Sequence, residues 1–196
     1  MLNHKSKIVF LGLSLWLLIA ATAQAHVTPN VKLLTTREAV SRLLPANGKL
    51  FMKNVTLSPE QTEQLEAKGN WDGSDTEYQF FVSRDENHRV LRAAILMTEH
   101  SRHGPMVVAV GLSPEGKVTD AVLTDIQTEP MEWVGPLLRA HYLSSFQGKG
   151  AEIDLTLTDH WKQGTTEMAQ AYAVLLANAV KRSAQLFELV FNAPER

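Results

Sequence analysis

The chain contains no cysteine. That absence excludes disulfides, thiolate metal sites, iron–sulfur clusters and Cys-attached haem. Any redox chemistry must be carried by something other than the protein's own sulfur. The chain also lacks a strong charge of either sign, with a formal net charge of -2 over 196 residues. Near-neutrality argues against nucleic acid as a partner and offers no polybasic membrane patch. No internal repeat, low-complexity tract or interdomain linker is visible. Asp and Glu are dispersed as solvated charge. His141, Ser144 and Ser145 lie close together but lack a Gly-x-Ser-x-Gly elbow, so no nucleophile–base pair stands out.

Only one apolar run is long, and it lies at the N-terminus. Lys5 and Lys7 precede an almost wholly apolar stretch from Ile8 to Ala21, and Ala23-Gln24-Ala25 follows as an A-x-A site. This pattern reads as a secretory signal, residues 1–25, cleaved after Ala25. The expected location is the periplasm. Every later apolar run is broken by charge. The remainder is long enough for one domain with its own core and short for two.

Residues 26–77 read as a helical lead-in. Thr35-Thr36-Arg37-Glu38 has the form of a capping box, with Ala39, Val40, Leu43 and Leu44 inward and Pro45 stopping the helix. Leu50 to Leu57 fits a strand. Ser58-Pro59-Glu60-Gln61 is a second box, opening a helix that ends near Gly69. From Tyr78 the pattern changes to sheet, with β-rich runs at 78–82, 90–98, 106–111 and 118–124. Ser113-Pro114-Glu115-Gly116 predicts a tight turn and makes 106–123 an antiparallel hairpin. One helix is expected near Pro136 to Leu143, and alternation at Ile153, Leu155 and Leu157 suggests another short strand. In Phe146-Gln147-Gly148-Lys149 the Gly suits a turn and Phe146 the core.

Residues 167–191 carry the clearest periodicity. Met168, Tyr172, Leu175, Leu176, Ala179, Val180, Phe187 and Val190 share one helical face, with Lys181 and Arg182 facing away. The expected fold class is α+β: a twisted antiparallel sheet flanked by helices, with the long C-terminal helix packed on it.

That helix opens at Gln163-Gly164-Thr165-Thr166-Glu167-Met168. A Gly-Thr-Thr corner there puts free backbone N–H groups and two hydroxyls together, which suits a phosphate. Read alone, it is equally a turn and an N-cap. The order of segments around it adds weight. A Ser-Pro-Glu-Gly-Lys hairpin precedes Thr128-Glu129-Pro130, then Phe146-Gln147-Gly148-Lys149, then the corner and the terminal helix.

This order, over residues 78–188, resembles the periplasmic FMN-binding domain. That domain occurs in the G subunit of Rnf electron-transport complexes and the C subunit of sodium-translocating NADH:quinone reductase. The resemblance implies an FMN-binding domain over 78–192 that relays electrons between periplasmic or membrane redox proteins, a carrier rather than an independent catalyst. Family members read Asp-x-x-Ser-Gly-Ala-Thr at the corner, and a flavin transferase esterifies the last Thr to the FMN phosphate. Gly164 and Thr166 match; Gln163, Thr165 and His160 stand where Ser, Ala and Asp are usual. Those departures put covalent attachment in doubt. The implied cofactor contacts are Gly164, Thr165 and Thr166 at the phosphate. Glu129 would sit beside the ring, and Met106, Met131, Trp133 and Met168 would serve as its walls. The carboxylate of Glu167 is unfavourable beside a phosphate.

Two other readings stay open. One is a flavin-free adaptor that keeps the fold. The other is a copper binder using His26 as the mature N-terminal residue, through its amine and ring nitrogen. The remaining histidines, His88, His100, His103, His141 and His160, read as exposed side chains.

Overall fold

An antiparallel meander in the middle of the chain is flanked on both edges by strands from its start. The computed structural model describes residues 29–73 and 75–192. The expected signal segment, its expected cleavage site and His26 lie outside the described residues.

The strands are β1 (Asn30–Lys32), β2 (Lys49–Thr56), β3 (Glu77–Arg84), β4 (Val90–Ser101), β5 (Gly104–Leu112) and β6 (Val118–Gln127). They form one six-stranded sheet in the order β1-β6-β5-β4-β3-β2, and all neighbours are antiparallel. The fold is α+β, as the sequence pattern predicts. Both edge strands, β1 and β2, come from the lead-in.

The capping boxes are where the sequence places them. Thr35 accepts from the Glu38 N–H at 3.3 Å and the Glu38 carboxylate accepts from the Thr35 N–H at 2.7 Å, opening α1 (Thr36–Leu43). Ser58 and Gln61 repeat this at α2 (Pro59–Glu66). The 113–116 turn closes with the Gly116 N–H donating to the Ser113 carbonyl at 2.9 Å, and Gly116 holds φ +75. That φ is cheap only for glycine.

The sheet buries both faces. On one, Phe80, Ile95, Met97, Val108, Val110 and Leu123 pack under α3 (Met131–Arg139), a 3-10 turn (Tyr142–Phe146) and the long helix α5 (Glu167–Phe187). On the other, α1 sets Ala39 and Leu43 against Ala94, Ala109 and Val122. Each fully buried large apolar side chain contributes about 1.5–3 kcal/mol.

Three expectations are corrected. Residues 153–157 form no strand. Ile153 is buried and Leu155 and Leu157 pack against the core, so their alternation marks one inward side of an irregular strap. The helix expected from Pro136 begins earlier, at Met131, and contains Pro136; Leu143 belongs to the 3-10 turn. Arg182 does not face solvent. It is 4% exposed and pairs with Glu99 of β4, itself 5% exposed.

Candidate functional site

The start of α5 is built from an irregular segment. A short helix, α4 (Asp159–Lys162), ends at Gln163, and Gly164 then turns the chain with φ +75. No heavy atom lies within 4 Å of where a Cβ on Gly164 would sit, so this side of the corner is open. Thr166 is the N-cap: its Oγ1 accepts from the Ala169 N–H at 3.2 Å. A hydroxyl that accepts keeps its own proton to donate. Thr165 is turned the other way and donates to the Trp161 carbonyl at 2.6 Å. The Gln170 amide braces the corner from beneath by donating to the Thr165 carbonyl at 3.2 Å. Of the two hydroxyls expected at a phosphate, one is thus committed to a backbone carbonyl and the other caps the helix.

Further along the same helix, residues from three elements converge. Trp133 of α3 stacks on Tyr172 of α5, with ring centroids 5.7 Å apart and planes 25° from parallel. His103, in the β4–β5 turn, sits 5.1 Å from the Trp133 ring and 6.5 Å from Tyr172. Its Nδ1 lies 3.2 Å from the Glu129 carboxylate. Ser101 donates to the Gly104 carbonyl at 2.9 Å and accepts from the His103 N–H at 3.1 Å. Its one proton is spent, so the 3.0 Å contact with Tyr172 is donated by the tyrosine. Burial above all, and with it the charge of Glu129, push the Tyr172 hydroxyl above its ordinary pKa.

The structure therefore brings Glu129 and Trp133 together, with Tyr172 linking them to α5. Tyr172 lies six positions beyond Thr166, about 9 Å along the axis. Met168 precedes Tyr172 by four positions, so the two share a face, and Met168 is 37% exposed. Met106 is not part of this surface. It is 1% exposed, opposite Glu99 in the β4–β5 ladder, and a core methionine has no free face to offer a ligand. Sequence reasoning missed His103 and Ser101, because only the folded hairpin carries them to α3. Tyr172 was legible as an inward residue but not as a stacking partner.

A second polar group lies deeper. Arg182 donates to Glu99 at 3.0 Å, and Asn178 donates to both Glu99 oxygens at 3.1 and 3.3 Å. Asn70 donates to Asn178 and Gln185, Trp71 donates to Gln185, and the Arg182 guanidinium lies 4.5 Å above the Trp71 ring. Burial raises the Glu99 carboxyl above its ordinary pKa, opposed by Arg182 and Asn178.

Clefts of about 230 to 500 Å³ among the described residues lie elsewhere on the surface, and the seven candidate cofactor residues line none of these. No protein-family model matches the chain, and no curated protein matches it.

Proposed function

We propose that this chain is an FMN-binding electron-transfer protein of the periplasm. The phosphate would sit at Gly164–Thr166, and the ring would lie along α5 toward Met168 and Trp133, with buried Tyr172 backing Trp133. One observation carries this reading: Glu129 and Trp133 converge on Tyr172, about 9 Å along the helix from the corner. That spacing suits an elongated ligand with an anion at one end and a flat ring at the other.

The roles follow from the geometry. The helix N-terminus offers backbone donors and a favourable dipole, and the open side of Gly164 lets an anion approach. Thr166 can donate its proton while capping the helix, so binding needs no ester. Trp133 and Met168 supply apolar faces, and His103 orients the Glu129 carboxylate at the far end. When bound, the flavin supplies the electron chemistry, and these contacts tune it. Electron donors and acceptors would be periplasmic or membrane redox proteins. A flavin transferase would be a further partner if Thr166 is esterified.

The flavin-free adaptor remains the second reading. It is favoured by the structural use of both corner hydroxyls, Thr165 on the Trp161 carbonyl and Thr166 on the Ala169 N–H. Purification from the native host, followed by a visible spectrum, separates the two. A flavin band supports the carrier, and flavin that stays with the protein after acid precipitation adds the ester. Colourless protein that takes up no added FMN leaves the adaptor.

A further inference from the structure

The edge strand β2 carries the three most exposed large apolar side chains among the described residues: Met52 at 68%, Leu50 at 58% and Phe51 at 41%. It pairs with β3 through eight consecutive residues without a bulge, and among the described residues no strand covers its other side. Edge strands are usually kept from pairing by proline, bulges, shortness or inward charge. β2 is eight residues long and reads Lys-Leu-Phe-Met-Lys-Asn-Val-Thr, so lysines are its only such device. Lys53 and Phe51 share the face of the sheet that α5 covers, and the Lys53 ammonium lies 5.3 Å from the Phe191 ring. Leu50 and Met52 point to the opposite face, beside Ser83 and Phe81.

We propose that β2 pairs antiparallel with β2 of a second copy of this chain, about a twofold axis at Met52, joining the two sheets edge to edge. The placement of the lysines selects this register. A pairing centred on Phe51 sets Lys49 opposite Lys53 of the other copy, and one centred on Lys53 sets the two Lys53 side chains face to face. Like charges directly opposite one another are destabilising. Centring on Met52 sets Lys53 opposite Phe51, a favourable cation–ring contact, Lys49 opposite Val55 and Leu50 opposite Asn54. Registers centred further out pair fewer residues. The Met52 register also gathers Leu50 and Met52 of both copies into one apolar cluster on the face away from α5. The lysines thus fix how the edge pairs while disfavouring neighbouring registers. The interface is isologous and closes as a dimer.

Because the chain has no cysteine, each introduced thiol is unique. Under a mild disulfide oxidant, Met52→Cys is expected to form a disulfide-linked dimer. Leu50→Cys and Asn54→Cys alone are expected to stay monomeric on non-reducing gels. Their copies would lie about 13 Å apart, beyond disulfide reach. The double variant Leu50→Cys/Asn54→Cys restores the cross-link. Wild-type protein is expected to sediment as a concentration-dependent dimer whose melting temperature rises with protein concentration, and Met52→Lys as a folded monomer whose melting temperature does not depend on concentration. Wild type that stays monomeric at every concentration overturns the proposal. So does Leu50→Cys cross-linking as readily as Met52→Cys, which would mean random collision or another register.

Discussion

Replacing Arg182 with methionine should destabilise the protein severely, and more at alkaline than at acid pH. Arg182 and Glu99 are 4% and 5% exposed, so their charges are buried together. Glu99 receives one guanidinium bond at 3.0 Å and two bonds from the Asn178 amide. Methionine keeps much of the volume but leaves the carboxylate with the amide alone. Removing one partner of a buried pair costs about 3–5 kcal/mol. For a domain of this size that lowers the melting temperature by roughly 6–20 °C. The pH sign follows from Glu99, whose native pKa is already raised by burial. Losing Arg182 removes an influence that lowers it, so it rises further. A raised carboxyl adds stability below its unfolded pKa and loses it as pH rises through the native value. The deficit of the variant should therefore be large near pH 8 and shrink toward pH 5 as Glu99 takes up a proton. Urea unfolding followed by tryptophan fluorescence at both pH values measures this. The double variant Arg182→Met/Glu99→Gln should recover much of the loss. A loss below about 1 kcal/mol, or one that does not change with pH, would refute the buried-charge reasoning.

Two further outcomes are expected. Thr166→Ala removes the cap on the Ala169 N–H and should cost about 1 kcal/mol in chemical unfolding, whereas Thr166→Ser keeps the cap; equal losses would contradict the capping role. Gly104 holds φ +106 in the β4–β5 turn, and a Cβ there would fall on the Gln127 side-chain amide. Gly104→Ala should therefore lower stability by about 1 kcal/mol or more, and an unchanged melting curve would show that the turn relaxes freely.

What was legible in the sequence is mostly local. The two capping boxes and the 113–116 turn each encode their geometry within four residues, and both boxes and the turn form. Of the eight residues that the C-terminal periodicity puts on the inward face, Tyr172, Leu176, Ala179, Val180 and Phe187 are buried, Leu175 and Val190 are half-buried, and Met168, in the first turn, is exposed. Arg182 was misread because its burial depends on Glu99, a strand residue far away in sequence; nothing on its own helix signals a partner. The strap at 153–157 shows the converse limit. Alternation reports which side is buried, not whether a neighbouring strand supplies a ladder. At the candidate site, the motif residues Glu129 and Trp133 were readable, whereas His103 and Ser101 were not. They reach α3 and α5 only because the β4–β5 hairpin ends there.

The central claim is that the first turns of α5 hold a flavin by its phosphate. A parallel titration of the purified protein with FMN and with riboflavin tests it most directly, followed by flavin fluorescence. Loss of charge-assisted bonds worth about 1.5–3 kcal/mol should make riboflavin bind about 10- to 100-fold more weakly than FMN. Equal affinity for the two ligands, or no binding of either by protein that is already colourless, would contradict the account.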